Sequence, residues 1–85
     1  MGPGSVVYSK AGRDKGEPFI VLSCDAEYAY LTDGKLRPLM KPKKKKLKHI
    51  QPTNAIMDDI KTKIENNRHI MDSDIKKALQ SVKKP

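Results

Sequence analysis

Fifteen consecutive residues, Lys35 to His49, contain Lys35, Arg37, Lys41, Lys43, Lys44, Lys45, Lys46 and Lys48 and no acid. A lysine ammonium is a compact, strongly hydrated point charge, and a run of them neutralises phosphates without needing a base edge. A second cationic set, Lys10, Arg13 and Lys15, surrounds Gly12 and Gly16. Arginine grips a phosphate through paired hydrogen bonds or stacks on an unpaired base. Both sets point to a polyanion. The bland alternatives are a solvated loop that aids solubility and a polar turn in which Asp14 cancels one charge. Other reactive residues are scattered: Cys24 is the only cysteine, and His49 and His69 are isolated. A nucleophile needs a base and an orienting group, and these three make no such constellation. Gly12 to Gly16 also lacks the longer spacing and Lys-Ser or Lys-Thr ending of a nucleotide loop. No enzyme activity, metal or cofactor is expected.

The overall charge of +8 is unevenly distributed. Residues 1–34 carry a net of −2 and residues 50–85 a net of +2, so the excess lies in the fifteen-residue block. Eighty-five residues allow one small domain, with Phe19 as its single phenylalanine and no tryptophan. So little apolar surface makes a deep cleft hard to build and favours a binding module. One cysteine permits no internal disulfide, which fits a reducing, cytoplasmic setting. No apolar run is long enough to span a membrane, and no secretory pattern opens the chain. Met1–Pro3 resembles a cloning remnant and is left out of the fold argument.

The elements that must position these charges begin with Ser5–Ser9, small, β-branched and aromatic, as a strand. Gly12 and Gly16 suit positive φ and bracket a charged loop tip. Phe19-Ile20-Val21-Leu22 is apolar on both strand faces, so it should be covered on both sides. Ser23–Glu27 is a polar break, and Tyr28–Leu31 a third strand with both tyrosines on one face, as rim packing or as a base-stacking surface. Asp33-Gly34 is a hairpin signal that predicts a fourth strand over Lys35–Leu39, at an edge because Pro38 cannot donate to a ladder. Lys41–Lys46 reads as a loop, and Leu47–Gln51 as a fifth, closing strand. Five short strands in some fifty residues suit a small barrel, which removes exposed edges.

Beyond Pro52, Ile56, Ile60 and Ile64 recur every four residues, predicting a helix capped by Thr53 or Asn54 and stopped by Asn66-Asn67. A second helix starts at Asp72 or Ser73, with Met71 as a hydrophobic staple, an Ile75, Leu79 and Val82 stripe, and Lys83 and Lys84 at its end. The stripes pack either on the barrel as a helical hairpin or in a dimer interface.

Gly12-Arg13-Asp14-Lys15-Gly16, between β-branched residues and Phe19-Ile20-Val21, resembles a KOW motif. This is the RNA- and protein-binding loop of a small SH3-like barrel in ribosomal proteins and elongation factors. With the Asp-Gly turn and the lysine-rich segment ending at Lys48-His49-Ile50, residues 4–53 are similar to bacterial KOW-domain relatives of a eukaryotic and archaeal large-subunit ribosomal protein, family fourteen. The resemblance implies a KOW-type barrel over 4–52, with a lysine-rich loop at 41–48, and a helical appendage over 53–85. It also implies ribosomal RNA and the large subunit as targets. The expected site residues are Lys10, Arg13, Lys15, Lys35, Arg37, Lys41, Lys43, Lys44, Lys45, Lys46 and Lys48. The competing reading is a protein-interaction adaptor whose helices bind a partner. DNA is a weaker option, because lysines alone do not separate the two backbones. The lysine run also fits a nuclear localisation signal, against which the bacterial character of the resemblance weighs. No membrane partner is expected.

Overall fold

The computed structural model describes residues 1–82, so Lys83 and Lys84 lie outside the described residues. The chain is mainly β, with two C-terminal helices. The strands are β1 (Ser5–Ser9), β2 (Pro18–Cys24), β3 (Tyr28–Thr32), β4 (Lys43–Lys46) and β5 (Ile50–Ile56), and the helices are α1 (Asp58–Glu65) and α2 (Asp72–Gln80). All pairings are antiparallel, in the order β4-β3-β2-β1-β5. The two end strands, β4 and β5, are joined by a single 3₁₀ turn, Leu47–His49. Five flat strands would hold those ends about 19 Å apart, beyond the roughly 14 Å that so short a link spans. The sheet must therefore curl. No ladder joins β4 to β5 among the described residues.

Curling gives β2 two apolar surroundings, as its sequence requires. Phe19 and Val21 face inward with Val7, Ala29, Leu31 and Ile50. Ile20, between them, faces outward and is buried beneath Ile60 of α1 and Ile75 of α2. Alternation along the strand separates the two cores. The helices thus share an apolar cluster with the sheet, and Lys63 of α1 lies 3.8 Å from Asp74 of α2. No helix among the described residues is long and apolar enough to cross a membrane.

Five local expectations are corrected. The closing strand is not Leu47–Gln51: Leu47–His49 forms the 3₁₀ turn, and β5 starts only at Ile50 and runs on to Ile56. Lys35–Leu39 is not a strand: Asp33 Oδ1 accepts the backbone N–H groups of Lys35 (2.8 Å) and Arg37 (2.9 Å), closing the segment on itself. The lysine run is not a loop: Lys43–Lys46 pairs with Tyr28–Leu31 as β4. α1 starts at Asp58, because β5 stays laddered to β1 as far as Ile56. Thr53 accordingly donates to Val6 O (2.6 Å) instead of capping a helix, and Ile56 is left half-exposed. Met71 is exposed and staples nothing; Asp74 Oδ2 accepts its N–H at 3.0 Å and orders the start of α2.

Gly34 turns the chain at φ 75° and lies against α2: a Cβ there would stand 2.5 Å from Asp72 O and 2.9 Å from Lys76 Cγ. Gly34→Ala is expected to cost about 2 kcal/mol, combining left-handed strain with displacement of helix backbone. A denaturant melt checks this; an unchanged midpoint would mean that α2 does not hold the turn.

Candidate functional site

The glycine-bracketed loop is a closed turn. Gly12 and Gly16 both sit at φ 85°, and Ser9 pairs across the base of the loop with Gly16 (2.8 Å) and Glu17 (3.1 Å). Arg13 and Lys15 project from the tip, both exposed. Between them, Asp14 turns back toward the fold.

Asp14 decides how the lysine run is used. Its carboxylate pairs with Lys43 through Oδ2 and lies 3.3 Å from Lys45 Nζ through Oδ1. Ser9 Oγ donates to the same Oδ1 at 2.6 Å. Lys45 Nζ also donates to Ala11 O at 3.0 Å, which ties the loop to β4 at a second point. Partial burial pushes the Asp14 carboxyl up, but hydrogen bonds from Lys43, Ser9 and Lys45 outweigh it, and its pKa falls from the ordinary 3.8 to about 2. Lys45 is only 9 % exposed, an unusual depth for a lysine that this carboxylate makes tolerable.

Because β4 alternates like any strand, the other two lysines face away. Lys43 and Lys45 lie opposite Leu31 and Ala29 on the inner face; Lys44 and Lys46 lie opposite Tyr30 and Tyr28 on the outer one. Lys44 Nζ sits 4.3 Å from the Tyr28 ring centroid, a cation–π contact at a half-buried aromatic. The tyrosines therefore share one face, packed among lysines at the rim. Backbone bonds from Tyr28 and Glu27 hold the nearby Asp25 carboxyl below its usual range, and the charge of Lys44 adds to the effect.

The remaining cations are also exposed. Lys10 N–H donates to His49 O at 2.8 Å, which places the loop's first cation beside Lys48. Across from Arg13, the 33–37 turn presents Lys35 and Arg37 over an open cleft of about 660 Å³ that has Phe19 and Lys43 in its lining. Lys41 follows, also exposed. Of the eleven expected site residues, nine are exposed: Lys10, Arg13, Lys15, Lys35, Arg37, Lys41, Lys44, Lys46 and Lys48. None of these nine has an ion pair among the described residues, whereas Lys43 and Lys45 are engaged by Asp14. Sequence reasoning missed Ser9 and Asp14 as the clamp; the signal was a single acid at the centre of an otherwise cationic loop. His49 is half-buried in the 3₁₀ turn and His69 is exposed between the helices.

No family model and no curated protein matches this sequence, so its own residues carry the functional reading.

Proposed function

We propose that the protein is a cytoplasmic, non-catalytic RNA-binding module that grips the phosphate backbone of structured RNA, with ribosomal RNA of the large subunit as the natural target. One observation carries the reading: nine exposed cations make no ion pair among the described residues, and Asp14, the acid between Arg13 and Lys15, is already paired with Lys43 and Lys45. Such an array gains affinity by releasing condensed counterions, at about 0.9 log units per decade of salt for each duplex phosphate neutralised. A clamped loop holds Arg13 and Lys15 at a fixed distance from the strand, so the charges form a shape and not a loose polycation. Recognition is then by the geometry of a folded RNA, since lysines carry little base information. The KOW-like loop sequence supports the ribosomal target. The helices pack around Ile20 through Ile60 and Ile75, which weighs against the adaptor reading.

The test is co-sedimentation with ribosomes and separated subunits at low and moderate salt, beside a generic RNA duplex and a DNA duplex. Retention on the large subunit at moderate salt is the expected result. Equal binding to every polyanion that vanishes at moderate salt would reduce the array to a simple polylysine attraction.

A further inference from the structure

Leu36 and Met40 are 88 % and 89 % exposed, far more than the next large apolar side chain, Met71, at 55 %. They are not on a slack segment. Thr32 Oγ1 donates to Arg37 O at 2.7 Å, Leu39 N–H donates to Asp72 Oδ1 at 2.7 Å, and Lys41 N–H donates to Pro38 O at 2.9 Å. Leu39 packs into the core beneath the helices while its neighbours point out. A loop that buries one apolar side chain and displays two, in a fixed conformation, has surface prepared for a contact.

We propose that this loop, residues 33–42, is a stacking wedge: Leu36 and Met40 lie against the faces of bases left unpaired within a helix, as at a bulge, while Lys35, Arg37 and Lys41 hold the adjoining phosphates. The proposal rests on the RNA-binding reading and adds to it the feature of the RNA that is selected. Apolar side chains inserted at unstacked steps are an established means of reading a distorted helix. An unpaired nucleotide offers an apolar π-face within one residue of its own phosphate, which matches an apolar side chain set between two cations in sequence. The charge of the loop favours a polyanion: Lys35, Arg37 and Lys41 stand against one carboxylate, Asp33, which accepts backbone N–H groups. Position favours RNA over a lipid surface: Leu36 lines the same cleft as Arg13, Lys35 and Arg37, so the wedge is continuous with the phosphate-facing array.

The experiment compares the full chain with a Leu36→Ser/Met40→Ser variant on two RNA hairpins of equal length, one fully paired and one with a two-nucleotide bulge. Anionic phosphatidylglycerol vesicles form a third arm, and a thermal melt checks folding. Both substitutions remove exposed side chains, so the variant is expected to melt as the parent does. The parent should bind the bulged hairpin about tenfold more tightly than the paired one, the scale of burying part of two apolar side chains. The variant should lose that preference and keep the paired-RNA affinity and salt dependence. Equal binding of both hairpins by the parent overturns the wedge and leaves the phosphate-binding reading standing. Binding to neither hairpin overturns both. Vesicle binding that falls in the variant while bulge preference persists also overturns the wedge and assigns the loop to a lipid surface.

Discussion

Replacing Asp14 with alanine should lower stability by about 3 kcal/mol, the loss expected when one partner of a largely desolvated ion pair is removed. The substitution leaves the 9 %-exposed Lys45 with only Ala11 O and a half-buried Lys43 beside it with no counter-charge. It also deprives Ser9 Oγ of its shorter hydrogen bond, although Ala11 O, at 2.9 Å, remains within reach. In a domain of this size each kcal/mol shifts Tm by about 4–8 °C, so a fall of roughly 12–24 °C is expected. The same contact sets an acid limit. The folded-state pKa of about 2 lies below the ordinary 3.8, so the unfolded chain takes up this proton first as pH falls. The stabilisation is fully present above about pH 4 and is lost as pH drops through the folded value. After allowance for solvent screening of a partly exposed group, it amounts to about 1–2 kcal/mol. Melts of the parent and Asp14→Asn between pH 6 and 2 should converge at the acid end. Coincident curves would show that the clamp contributes nothing to folding.

Splitting the lysine run by parity should separate binding from folding. Lys44→Gln/Lys46→Gln removes the two outward charges of β4, which make no ion pair among the described residues. The expected result is an affinity for structured RNA lower by about tenfold or more, with the log–log salt slope reduced by nearly 2, the signature of two phosphates released. Stability should fall by no more than about 1 kcal/mol, the exposed cation–π contact of Lys44 with Tyr28 being what is lost. Lys43→Gln/Lys45→Gln should do the reverse: it breaks the Asp14 clamp, lowers Tm, and leaves the salt slope of the folded protein nearly intact. Replacing all four lysines together would conflate the two effects. If the outward pair left the slope unchanged, the phosphate contacts would have to lie on the loop tip and the 35–41 turn instead.

The parity of the run also shows where sequence reading loses its grip. A strand is recognised by apolar and polar residues in alternation, and four identical lysines have no alternation to read. Composition alone made them a loop. The Asp33-Gly34 hairpin signal instead predicts the fourth strand over Lys35–Leu39, but Asp33 captures the backbone groups such a ladder would use. A similar coincidence started the first helix too early. Ile56 falls four residues before Ile60, yet its backbone belongs to the ladder with Ser5.

Much was nonetheless written into the chain itself. The mainly β class, the first three strands, the positive φ of both loop glycines, the two-sided burial of β2 and the apolar faces of both helices follow from residue types a few positions apart. These are local properties: periodicity, turn chemistry and backbone permissiveness are fixed within one or two turns of chain. Which lysines are free for a ligand is not local. Asp14 meets Lys43 across 29 residues and Lys45 across 31, and only the curl of the sheet brings them together. A carboxylate selects its counter-ions by proximity in space, so two of eleven candidate cations were withdrawn into the fold by a contact that no spacing along the sequence announces.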